Sequence, residues 1–311
     1  MFTLRDALAP MLEAPGASRL RRRLALRRAE HDDRGTRLSA QHRNVAILQS
    51  ADLAVPTEPG RSAELFILGS GPSVLELSDT NKLRMREGTT IGLNSWALHD
   101  FIPDAYSFEE VENDDYVSVA AGLSSVLARQ EVIAANPLLL HLRSRLGTPS
   151  RRLVSVSPEL HLNTRYYGRV NVETRKLRNL EADLVALLHA QRNGAIAPHV
   201  LIDSGFSVAR MMSLGILRGF SSIILIGVDL NSSRYFFEED PAYLARHNLE
   251  DFNPWISRST NHDTEETLNR NFAASEFIPA LARASLAEGG PRVYVGSHSS
   301  KLSSAIDVVP W

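Results

Sequence analysis

The sequence predicts an α/β protein: a Rossmann-like, mostly parallel sheet with helices on both faces, preceded by a helical N-terminal arm. Three observations carry that expectation. From Glu64 onward, short β-rich runs alternate with helical patterns. The first run, ELFILGSGPS at residues 64–73, leads straight into a loop in which Gly69 and Gly71 bracket Ser70, ahead of Pro72 and Ser73. Small polar residues then recur after successive apolar runs, as expected where an open α/β sheet presents the carboxyl ends of its strands to a ligand.

The arm comes first. Arg19, Arg21, Arg22, Arg23, Arg27 and Arg28 crowd the stretch SRLRRRLALRRAEH, with Leu20 and Leu24 one turn apart, the pattern of a basic amphipathic helix. Such a helix either covers the main domain with its leucines or rests on an anionic membrane surface. Residues 55–62 hold two prolines and a glycine and read as a linker, so the expected division is a helical basic arm and linker over 1–61 and a sheet domain over 62–311. In that domain ELFILGS precedes a helix over 74–87, TTIGLN a short helix through Trp96, and AYSFE a helix over about 114–130. Further strands are PLLLHL, HVLID ending at Asp203, SSIILIGVD ending at Asp229, and RVYVGS, with long helices over 173–192, 204–218 and 264–288. Two stretches fit no element: 143–169, and the aromatic-rich segment at about 230–261, whose composition suits a lid.

Composition bounds the function. The chain has 311 residues, a formal net charge of −2 and no cysteine, which suits one large core plus an appendage and rules out disulfides and thiolate metal sites. No apolar run approaches the roughly 20 residues that span a bilayer, and MFTLRDALAP lacks the features of a secretion signal. The expectation is a cytoplasmic protein, with the arm offering peripheral contact to the inner face of the membrane. The near-balanced charge gives no sign of nucleic-acid binding.

The strand ends supply the candidate site: Gly69, Ser70, Gly71, Pro72 and Ser73 after the first strand, then Asn94, then Glu109 and Glu110. Ser204 and Gly205, Asp229 and Asn231, and Ser297 to Ser300 follow later strands. Each has a structural alternative, since Asn94 and Ser204 could cap helices and Asp229 could turn a loop. Together they suit a ribose, a base edge and a phosphate. A βα turn like 69–73 leaves backbone N–H groups at a helix start, where a phosphate is the natural guest. Val74 stands where the dinucleotide fingerprint needs a third small residue, and the Lys-Ser/Thr of a Walker loop is absent, which disfavours NAD and P-loop sites.

In its ordered motifs the chain resembles the bacterial family 42 sialyltransferases and related enzymes that transfer nonulosonic acids from CMP-activated donors. The matching blocks are Gly69-Ser70-Gly71-Pro72-Ser73, IGLN with Asn94, DSGFSVARMMSLGI with Ser204 and Gly205, Gly227-Val228-Asp229, the aromatic stretch around 235–237, STNHDTEETLNRNF with His262, and the tail VYVGSHSSKLSSAIDVVP. They run in the family's order over about 63–310. The resemblance implies a GT-A-variant fold, a CMP-sugar donor, a glycan or glycolipid acceptor, no metal or other cofactor, and His262 as catalytic base. It places Gly69 to Ser73, Asn94, Ser204, Gly205, Asp229, Ser299 and Ser300 on the nucleotide, Tyr235 and Asn231 on the leaving phosphate, and Glu109 and Arg234 near the donor sugar or acceptor. Departures stand at Ser70, Glu109 and Asn231, where the family carries asparagine, asparagine and tyrosine, and at Leu201, where it carries an arginine. They point to a donor such as Kdo or another nonulosonate. The residues alone also allow His262 to cap a helix. A Mg²⁺-dependent pyrophosphokinase using Glu109, Glu110 and Asp229, a protein-modifying glycosyltransferase and a non-catalytic nucleotide-binding scaffold remain open, as does a homo-oligomer.

Overall fold

The computed structural model describes residues 17–108, 123–142, 158–231, 234–238, 240–247, 249 and 271–311. His262, Glu109 and Glu110 lie outside them, with much of the expected lid. Nine strands form the sheet: β1 (Ala46–Ile47), β2 (Glu64–Leu68), β3 (Thr89–Leu93), β4 (Ala105–Phe108), β5 (Leu138–Leu142), β6 (Thr164–Asn171), β7 (Val200–Asp203), β8 (Ser222–Ile226) and β9 (Arg292–Val295). Their spatial order is β1-β6-β5-β4-β3-β2-β8-β9, with β7 joined to β6, and every pairing between these strands is parallel. The architecture is α/β and Rossmann-like.

β2 and β8 read as continuous apolar runs because both of their faces are covered. On one face α1 (Ser18–Arg43), α5 (Leu177–Arg192), α6 (Ser207–Arg218) and α8 (Ala274–Ala287) contribute to a core with Leu65, Ile67, Ile91, Leu140 and Ile223. On the other, α2 (Asp79–Glu87), α3 (Gln130–Ala135) and the short α4 (Pro158–His161) supply Met85, Val132 and Leu160 to a second core around Phe66, Tyr106 and Ile224. Each fully buried Leu, Ile or Phe contributes on the order of 1.5–3 kcal/mol of transfer free energy.

The helix starts differ from expectation for local reasons. After β2 the chain makes a 3₁₀ turn over Pro72–Glu76, and α2 begins only at Asp79, where the Ser78 side chain accepts the Asn81 N–H and the Asn81 side chain accepts the Ser78 N–H. α6 starts at Ser207 because Gly205 takes φ +89° directly after β7, and it ends where Gly219 turns left-handed. β6 occupies part of the stretch that showed no strand pattern.

The arm helix is real, but the leucines are not its anchor. Ala25 and Ala29 are 3% and 2% exposed within the first core, whereas Leu20 is 37% exposed. Two of the six arginines find acids on the domain: buried Arg21 Nε lies 2.7 Å and 3.0 Å from the two oxygens of Asp183 on α5, and the exposed Arg28 pairs with buried Glu173. Just beyond the helix, β1 adds itself to β6. Among the described residues no helix is long and apolar enough to cross a membrane.

Candidate functional site at the carboxyl edge of the sheet

In chain order β2 to β6 step outward in one direction, and β8 then returns to the other flank of β2. The reversal between β2 and β8 is a topological switch point, where open α/β sheets bind ligands beyond their carboxyl ends. Residues 69–73 follow β2 and residues 227–231 follow β8, so the two loops meet there.

They meet closely enough to bond each other. The Gly69 N–H donates to the Ile226 carbonyl at 2.7 Å and the Gly71 N–H to the Gly227 carbonyl at 2.8 Å. The Asp229 carboxylate accepts the Ser73 N–H at 2.9 Å and the Ser73 hydroxyl at 2.5 Å. A Cβ on Gly71 would run into that carboxylate, so the close approach demands glycine here. The amides of Gly69, Gly71 and Ser73, expected to be bare for a phosphate, are therefore committed within the protein, and the five-residue 3₁₀ turn after them lacks the dipole of a long helix.

The segment after β9 closes the same corner. Ser297 and Ser299 hydroxyls donate to the two oxygens of Glu76 at 2.5 Å and 3.0 Å, and the Ser300 hydroxyl to the Val228 carbonyl at 2.7 Å. The Asn231 side-chain amide donates to the Ser299 carbonyl at 2.7 Å, and the Lys301 N–H to the Asp229 carbonyl at 2.8 Å. The structure thus brings Ser70, Ser73, Asp229, Asn231, Ser299 and Ser300 together largely as one another's partners. Tyr235 is half-buried with its ring stacked on Phe237 at 5.3 Å, next to Phe236, whose N–H donates to the Ser70 carbonyl. Arg234 is exposed.

Asn94, Ser204 and Gly205 gather farther along the edge. Asn94 adopts φ +45°, and its side-chain amide lies 3.4 Å from the Ser207 hydroxyl at the start of α6. Ser207 also receives Arg210 Nη2 at 3.1 Å. Arg210, fully buried, donates through Nη1 to Asp203 Oδ1 at 2.8 Å, and the Gly205 N–H shares that oxygen at 2.8 Å. The other Asp203 oxygen takes Arg169 Nη1 from β6 at 3.2 Å. Burial pushes the Asp203 carboxyl above the usual carboxylate range, while the Arg169 charge and the Gly205 amide draw it back. Beside them Tyr167 and Ser107 share a hydroxyl–hydroxyl bond at 3.2 Å; burial pushes the Tyr167 phenol well above its ordinary value.

Arg169, Asp203, Ser207 and Arg210 were missed as site residues. The signal was the polar end of HVLID running into DSGFSVAR; Arg169 could not be placed without β6. Leu201, where the resembled family carries an arginine, is the register partner of Arg169. Among the described residues no three His, Asp or Glu side chains gather as metal ligands.

No protein-family model matches the chain. No curated protein matches it. Among solved structures, the monofunctional alpha-2,3-sialyltransferase Cst-I from Campylobacter jejuni is similar over 83% of this chain and 83% of that chain, with 16% identity and a TM-score of 0.43.

Proposed function

We propose that the protein is an inverting glycosyltransferase that moves a sialic-acid-like nonulosonic acid, such as sialic acid or Kdo, from a CMP-activated donor to a cell-surface glycan or glycolipid acceptor. The observation that carries this reading is the meeting of the Gly69–Ser73 and Asp229–Asn231 loops at the strand-order reversal, with Asn94, Ser204 and Gly205 farther along the same carboxyl edge. The ordered motif series from Gly69 to the serine-rich tail supports the sugar-nucleotide class. With the Gly69, Gly71 and Ser73 amides engaged internally, donor contacts fall to side chains and to the α6 end of the crevice.

In the transfer step the acceptor hydroxyl oxygen attacks the anomeric carbon, and the bond from that carbon to the phosphate oxygen breaks with its electron pair leaving on CMP. The hydroxyl proton passes to the neutral His262 imidazole, whose ordinary pKa near 6.5 suits a base at neutral pH. Tyr235 and the second amide hydrogen of Asn231 stabilise the charge developing on phosphate, and Glu109 and Arg234 contact the sugar or acceptor. Asp229 supports the wall through Ser73. The alternative, a Mg²⁺-dependent pyrophosphokinase, would need Asp229 as a metal ligand while it holds Ser73. The exposed Arg19, Arg22, Arg23 and Arg27 of α1 are the proposed contacts with an anionic membrane surface.

CMP raises the melting temperature, and ATP with Mg²⁺ does not. His262→Ala lowers transfer at least about 100-fold and leaves CMP binding intact. Stabilisation by ATP–Mg²⁺ alone overturns the proposal in favour of the kinase reading, and indifference to every nucleotide favours a scaffold.

A further inference from the structure

We infer that Arg169 is the anion-recognising residue of this crevice, binding a negatively charged oxygen group of the donor through the edge of its guanidinium that Asp203 leaves unused; the inference rests on the donor-binding reading above.

Asp203 holds two cations of unequal exposure. Arg169 and Arg210 share one carboxylate, at 3.2 Å and 2.8 Å. Arg210 has no exposure and pairs with Asp203 inside the protein. Arg169 keeps 41% of its side chain exposed and meets Asp203 through Nη1 alone. Of the two guanidiniums on Asp203, Arg169 is the one that reaches solvent.

Placement points the same way. Asn94, Ser207, Arg210, Asp203 and Arg169 form a continuous hydrogen-bonded row from the end of β3 to the end of β6. The row runs past the start of the twelve-residue α6, whose dipole adds to the positive potential. Asn94 holds a left-handed backbone that a non-glycine residue adopts sparingly and that concentrates at functional sites. A guanidinium braced on one edge by a buried carboxylate is pre-organised and presents its remaining N–H groups in the fork that matches a phosphate or carboxylate. Both groups occur on a CMP-activated sugar acid, so the shared chemistry is an anionic oxygen pair.

The test is calorimetric titration of the full chain and of Arg169→Gln and Arg169→Lys with CMP, cytidine, CMP-sialic acid, UMP and AMP. Arg169→Gln lowers affinity for the recognised anion about 10- to 100-fold, and Arg169→Lys falls between the two. A loss for CMP with none for cytidine assigns the phosphate. A loss confined to CMP-sialic acid assigns the sugar carboxylate. A merely structural Arg169 would lower the melting temperature and leave every dissociation constant unchanged, and that result overturns the inference while CMP binding keeps the transferase reading alive. Arg169-dependent binding of UMP or AMP with none of CMP keeps this inference and sinks the CMP-donor reading. Binding of no anionic ligand by the unmodified chain overturns both.

Discussion

Asp229→Ala separates a wall-building carboxylate from a ligand-binding one. Asp229 is 6% exposed and accepts two hydrogen bonds from Ser73, itself 7% exposed. Hydrogen bonds to a charged group each contribute about 1.5–3 kcal/mol net, so removing the carboxylate and stranding two buried donors costs about 4 kcal/mol. Unfolding entropy near the midpoint is about 2.1 cal/mol/K per residue, so for a chain of this length the melting temperature falls by about 6 °C. Ser73→Ala removes only the hydroxyl bond and costs about 1–2 kcal/mol. Because each change eliminates the same hydroxyl–carboxylate contact, the double variant is less destabilised than the two singles added together, and the difference measures the coupling. The assay is urea denaturation of the four proteins with matched thermal scans in the absence of nucleotide. A shift below about 1 °C for Asp229→Ala refutes the reasoning, since it would mean that the carboxylate makes no net contribution in the empty protein.

Two further outcomes follow from buried charge. Burial lowers the His141 imidazole from 6.5 to about 4, with Phe108 and Tyr166 as ring neighbours. The unfolded chain then binds the extra proton between those values, so about 3 kcal/mol of stability present above pH 6.5 is lost as pH falls to about 4; His141→Gln flattens the denaturation midpoint across that window, and an unchanged pH profile refutes the assignment. Arg21→Ala removes the Nε hydrogen bond to the buried Asp183 carboxylate and costs about 1.5–3 kcal/mol, read as a fall in the urea midpoint; an unchanged midpoint would show that α1 is not held by this pair.

The central strands were legible because their sequences leave no alternative. ELFIL, TTIGL and SIILI each carry an apolar stretch followed by glycine or asparagine, and all became strands, although β8 ends at Ile226, three residues before the expected Asp229. β6 was not legible: TRYYGRVN carries two arginines, and its strand character comes from pairing with β5, β1 and β7, contacts distant in sequence. The arm helix was visible, but its anchoring face was not, because its alanines bury little area and gain their place from Arg21 and Arg28 finding acids on or near α5. At the site, motif order located the edge. Which polar groups would satisfy one another depended on loop approach, as with Gly71 against Asp229, and no local pattern encodes it.

The Glu76 and Asp229 ties give the carboxyl edge of the sheet two unlike banks. One bank is sealed: the turns following β2, β8 and β9 hold one another through carboxylate–hydroxyl bonds, so altering any one of them disturbs its neighbours. The other, farther along the edge near Arg169, has side-chain exposure to spare. Under the proposed function, redesign aimed at new specificity belongs on that unsealed shore.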